Sequence, residues 1–84
     1  MKTIWKFKLN SEGRPVLMPQ EARPLHVAFQ GHDLCLWAEV DRDGLPMQAR
    51  RFAVRPTGEV FPSGGTYIGT AFTGPFVFHV YETQ

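Results

Sequence analysis

The chain has 84 residues, with nine Lys and Arg against eight Asp and Glu, for a formal net charge of +1. With 43% hydrophobic and 20% charged residues it has enough apolar area to offset the entropy of ordering, which excludes a disordered chain. The near-neutral charge excludes a global field that would draw it onto long nucleic acid or an anionic membrane, and a single cysteine excludes an internal disulfide scaffold.

The first predicted element, Thr3 to Leu9 (TIWKFKL), sets Trp5, Phe7 and Leu9 on one face against Ile4, Lys6 and Lys8 on the other. That is strand alternation. Asn10 to Arg14 has turn chemistry, and Pro15 to Pro19 reads as a short extended return, forming a first hairpin or an edge. Pro24 to Gln30 follows, with Leu25, Val27 and Phe29 on one face, and Gly31, His32 and Asp33 make a tight turn. Leu34 to Val40 (LCLWAEV) is apolar on both faces apart from Glu39, the signature of a central strand.

After a turn over Asp41 to Gly44, Pro46 to Arg55 is a long strand on which Phe52 and Val54 alternate with Arg51, Ala53 and Arg55. Pro56, Thr57 and Gly58 predict a hairpin turn into a strand at Glu59 to Phe61, and Pro62 to Gly65 reads as the loosest loop. Thr66 to Thr73 and Pro75 to Glu82 pair as a final hairpin across Gly74. No stretch of ten residues has helical spacing, and seven prolines with eight glycines punctuate the chain.

The expectation is an all-β fold, a small antiparallel sandwich or barrel of six to eight short strands without substantial helix, over residues 1–84 as one domain. Consecutive antiparallel connections are the simplest topology, and the two aromatic ends, Thr3 to Leu9 and Phe76 to Glu82, are expected to pair with each other or to lie centrally. The opening residues lack a signal-peptide or membrane-spanning run, so a cytosolic protein is expected.

Arg50, Arg51 and Arg55 make the only local excess of positive charge. Arg51 and Arg55 share a face, and Arg50 points to the opposite one. Two guanidinium groups four residues apart on a strand lie roughly 13 Å from each other, a span that suits two phosphates of a small nucleotide. Tyr67 or Tyr81 could stack a base, His79 lies on the same strand as Tyr81, and the loop around Gly64 could close over the ligand. The competing reading has these arginines solvate an open face and pair with Glu39, Asp41 and Asp43.

His26, His32 and His79 have no short-spaced metal pattern, and no nucleophile with a spaced base, carboxylate pair or phosphate-cradling glycine loop is present. The sequence therefore predicts no enzyme, no metal and no cofactor. So many large rings in a short chain suggest that one or two, Trp5 and Trp37, are interface anchors, and open sheet edges point to a homo-oligomer or a protein partner.

MKTIWK, CLWAEVD, RRFAV, TYIGT and FVFHVYE, in this order, resemble a family of short tailed-phage and prophage proteins with a domain of unknown function. The resembling positions are Ile4 to Lys6, Cys35 to Ala38, Arg50 to Phe52, Tyr67 to Thr70 and His79 to Glu82. The chain departs from the family in the middle turn, where relatives carry GTGHP and this chain has RPTGEVFP, without that histidine.

The resemblance implies a phage protein in the host bacterial cytoplasm. Small phage accessory proteins act stoichiometrically, so the expected function is non-enzymatic binding of a small anionic ligand such as a nucleotide signal of a defence system. The alternatives are inhibition of a host protein through a β edge and aromatic anchors, and a structural role in the virion.

Overall fold

The computed structural model describes residues 1–61 and 63–83. Seven strands form: β1 (Lys2–Lys8), β2 (Val16–Pro19), β3 (Arg23–Gln30), β4 (Asp33–Asp41), β5 (Met47–Pro56), β6 (Thr66–Thr73) and β7 (Phe76–Thr83). They make two antiparallel sheets, one ordered β1-β4-β3 and the other β2-β5-β7-β6. The all-β expectation holds, with no helix among the described residues.

The aromatic ends do not pair. β1 is an edge of the first sheet and β7 is central in the second. Their sequences explain the division: β1 carries Lys2, Lys6 and Lys8 on its outer face, the charge that shields an edge, whereas β7 has no lysine and is flanked on both sides. Nor are the connections consecutive hairpins. Only β3–β4 and β6–β7 pair as neighbours in sequence; the segment between β1 and β2 passes from one sheet to the other, with Leu9 buried at its start and Met18 of β2 buried beyond its end.

Each sheet contributes its inner face to one core. β4 supplies Leu34, Leu36, Ala38 and Val40, β3 supplies Val27, and the second sheet supplies Met18, Phe52, Ala71 and Val80. β4 is central, as its two-sided apolar pattern predicts. On its outer side Lys6 Nζ donates to Gln30 Oε1 across the strand, 2.6 Å, and Cys35 beneath this face is buried.

Two expectations change, the face of Leu25 and the strand after β5. β3 bulges between Pro24 and His26, so Pro24 rather than Leu25 joins the inner row and Leu25 is exposed. Trp5 lies on the inner face, partly buried against the core; its ring fills the space over Gly44, where a Cβ would stand 2.7 Å from Cη2. Trp37 does lie on the outer face, half-buried beside His26 at 6.1 Å. Finally, Glu59 to Phe61 is not a strand, and Pro62 of the loop expected after it lies outside the described residues.

The sheets approach closely along one side. Gly69 of β6 makes this contact feasible, because a Cβ there would be 2.8 Å from Val27 Cγ2 of β3. A second bulge, between Tyr67 and Gly69, has a larger effect on the outer surface. It shifts the alternation of β6 by one residue, so Tyr67 and Thr70 face the same way although three positions apart.

Candidate functional site

Opposed residues in an antiparallel pair share a face, so the register assembles the outer surface of the second sheet directly. Arg51 lies opposite Thr83, Ala53 opposite Tyr81 and Arg55 opposite His79. On the other side of β7, Tyr67 lies opposite Tyr81 and Thr70 opposite His79. Arg51, Arg55, Tyr67, His79 and Tyr81 therefore occupy one face. Two rows run across it: Ala53, Tyr81 and Tyr67, then Arg55, His79 and Thr70.

The aromatic half is internally packed. Phe61, in the loop after β5, folds back so that its ring lies 3.8 Å from that of Tyr81, and Tyr67 meets Tyr81 edge-on at 5.3 Å. This fold-back is why Glu59 to Phe61 forms no strand: Phe61 gains more by covering Tyr81 than by extending into solvent. His79 Nε2 is 2.7 Å from Thr57 Oγ1 and its Nδ1 is 3.0 Å from Thr70 Oγ1, which is in turn hydrogen-bonded to the Tyr67 hydroxyl. Both imidazole nitrogens are thus engaged, one donating and one accepting in the neutral ring. His79 and Tyr81 hold the surface together, while Tyr67, 52% exposed, keeps an open ring face.

The arginine half is different. Arg51, Ala53 and Arg55 line a cavity of about 380 Å³ with Ser11, Glu12, Gly13 and Thr83. Arg51 Nη1 donates to the Gly13 carbonyl at 3.4 Å, and Arg55 Nη1 to the Val54 carbonyl at 3.0 Å. Neither guanidinium has a carboxylate within ion-pair distance among the described residues, since Glu12 in the same cavity pairs with Arg14 at 3.0 Å.

The expected pairing of these arginines with Glu39, Asp41 and Asp43 does not occur. Asp41 is taken by the Met1 ammonium and Lys2, and Glu39 by Arg23, all on the first sheet. Arg50, on the face opposite Arg51 and Arg55 as expected, pairs instead with Glu82. Its Nε and Nη2 donate to the two carboxylate oxygens at 2.7 and 2.8 Å, and Nη1 donates to the Ala22 carbonyl at 2.7 Å. The hydrogen bonds to Glu82, and then its charge, raise the Arg50 pKa above its ordinary value, against the opposing effect of burial.

The three histidines do not converge. His26 is on the outer face of the first sheet, His32 in the β3–β4 turn and His79 on the second sheet. Among the described residues no three His, Cys, Asp or Glu side chains gather as a metal site would require. A larger cavity, about 600 Å³, opens at the end of the sandwich; His32 lines it, and none of Arg51, Arg55, Tyr67, His79 and Tyr81 does.

A domain of unknown function, DUF7352, matches residues 1–84. The chain belongs to the DUF7352 family. No curated protein and no solved structure matches it. Within this DUF7352 chain the segments that carried the resemblance meet in space: Arg50 with Glu82, and Tyr67 through Thr70 with His79.

Sequence reasoning missed Thr57, Phe61, Thr70 and the 11–13 loop. For Thr70 the signal would have been the bulge, which Gly69 hints at, since glycine inside a strand often marks one. Phe61 and the loop reach the surface through chain reversals that no periodicity announces.

Proposed function

We propose that this chain is a non-enzymatic binding protein that holds a small anionic ligand on the outer face of its second sheet. The observation that carries this reading is the pair Arg51 and Arg55, which flank buried Ala53 in one cavity and have no carboxylate partner among the described residues. Guanidinium groups without a carboxylate partner among the described residues favour an anion at a concave surface, and the Ser11 and Thr83 hydroxyls add neutral hydrogen-bonding groups. Tyr67 supplies a ring face on the same surface, which suits a nucleotide over an inorganic anion. The resemblance to short phage proteins supports a nucleotide signal of a bacterial defence system as that ligand, sequestered in the host cytoplasm.

A panel of cyclic di- and trinucleotides in a thermal-shift assay tests the reading. A ligand at 100 times its dissociation constant adds about 2.7 kcal/mol. The shift should vanish in an Arg51→Ala, Arg55→Ala double variant whose own melting temperature is little changed. No shift across the panel refutes the nucleotide.

A second reading, a protein partner or a second copy, is favoured by Leu17, Leu45 and Met47. All three are exposed around the four-residue edge strand β2 and its β5 neighbour. Native mass spectrometry of protein purified from its host distinguishes the two by the mass that is retained.

A further inference from the structure

The larger cavity has a different chemistry from the arginine surface. It opens where the β3–β4 turn, the β6–β7 turn and the segment after β1 come together, and its volume of about 600 Å³ is that of a small-molecule site. Phe29 and Phe78, one from each sheet, meet at 5.8 Å across its floor, joined by Leu34 and Val54. Phe76 stands at the mouth, 61% exposed, although its strand alternation assigns it to the inner face with Phe78 and Val80. A phenylalanine on the inner row with most of its surface uncovered leaves an aromatic face for a guest.

The charge at the rim is balanced. Lys8 pairs with Asp33 at 3.3 Å and Arg14 with Glu12 at 3.0 Å, so no cation is left over to attract an anion there. The hydroxyls of Ser11 and Thr73 provide uncharged hydrogen-bonding groups at the opening, and the ring of His32 lies beside them. One wall is fixed beforehand. Asn10 Nδ2 donates to the Arg14 carbonyl at 3.0 Å and accepts at Oδ1 from the Arg14 amide at 2.7 Å, closing the loop on itself. Binding against a wall that is already ordered avoids the entropy of ordering it.

We propose that this end cavity is a second binding site, for an uncharged small molecule with a flat aromatic body that lies on Phe29, Phe76 and Phe78 and a hydroxyl or amide end at the rim. The two cavities adjoin along Ser11 and Glu12, which line both, but the aromatic floor of this one shares nothing with Arg51 and Arg55, and its occupancy does not depend on the anion reading.

The test uses the neutral fluorophore N-phenyl-1-naphthylamine with the full chain. Its emission should rise saturably with one molecule bound per chain, and amide shifts in a two-dimensional nitrogen–proton spectrum should concentrate at Phe29, Leu34, Phe76 and Phe78. Thr73→Trp, which fills the cavity, should weaken binding roughly ten-fold or more, and Phe76→Ser should weaken it in the same direction. The Arg51→Ala, Arg55→Ala variant should bind the probe as the parent does, whatever it does to nucleotides. Absence of saturable binding, unchanged affinity in both cavity variants, or shifts centred elsewhere overturns the proposal. If either cavity variant fails to fold, the shift map on the parent chain decides.

Discussion

Removing one partner of the Arg50–Glu82 pair should be the most damaging single change on the second sheet. The side chains are 12% and 23% exposed, and three of the Arg50 nitrogens are committed, two to Glu82 and one to the Ala22 carbonyl that anchors the turn between β2 and β3. Glu82→Ala leaves a guanidinium largely out of water with its counter-charge gone, a change that costs about 3 kcal/mol, the low end for buried pairs because both groups retain some hydration. Against a total stability of ~5 kcal/mol that is a majority.

Urea unfolding followed by tryptophan fluorescence reads the loss directly. With a slope near ~1 kcal/mol per molar, the midpoint should fall by about 3 M at unchanged slope. Arg50→Met combined with Glu82→Leu should unfold within about 1 kcal/mol of the parent, because two desolvated charges are removed together. About 0.5 M salt should change little, since screening acts mainly on exposed pairs. Single-variant losses below ~1 kcal/mol, the range of surface pairs, or a double variant that loses the sum of both, would falsify the reasoning.

Gly44→Ala sets a Cβ 2.7 Å from the Trp5 ring at a positive φ of 66° and should cost about 2 to 3 kcal/mol. Gly13→Ala has a similar φ of 75° but open space around it, so a calorimetric melting temperature well above that of Gly44→Ala isolates the tryptophan contact from backbone strain. Asp41 is held below its ordinary carboxyl value of 3.8, first by the hydrogen bond from the Met1 ammonium and then by the charge of Lys2. Its contribution is therefore full above that value and lost as pH falls through the lower folded one, so Asp41→Asn should flatten the acid limb of melting temperature against pH, measured from neutrality down to about pH 2. An acid limb of parental steepness in that variant removes the assignment.

Alternation was the legible part of the sequence. Trp5, Phe7 and Leu9 do face the core, Phe52 and Val54 do oppose Arg51 and Arg55, and Leu34 to Val40 does run through the middle of a sheet. Each follows from the period of two, which is local. Which strand lies beside which depends on contacts between distant segments, and nothing in Thr3 to Leu9 specifies that β4 rather than β7 is its neighbour.

The bulges at Leu25 and Ile68 lie between these levels. One inserted residue reverses every later side chain, and the local cues, Pro24 beside the first bulge and Gly69 beside the second, mark strand starts and close approaches as readily as bulges. The candidate site was partly legible for the same reason. Arg51 and Arg55 were placed by parity, whereas the engagement of His79 by Thr57 and Thr70, the Phe61 fold-back and the end cavity come from loops whose paths depend on the finished sandwich.

The partnership of β1 with β4 has a consequence for how the chain reaches its fold. Lys2 comes to rest opposite Asp41 and Val16 opposite Arg50, so neither of the first two strands has a local partner to condense upon. Topologies dominated by such distant pairings fold slowly, on the order of milliseconds to seconds. On the ribosome the wait is longer, because at about 5 to 20 residues per second β4 emerges seconds after β1. During that interval Trp5 and Phe7 have no core to enter, and the three lysines alternating with them keep the nascent strand solvated until its neighbour arrives.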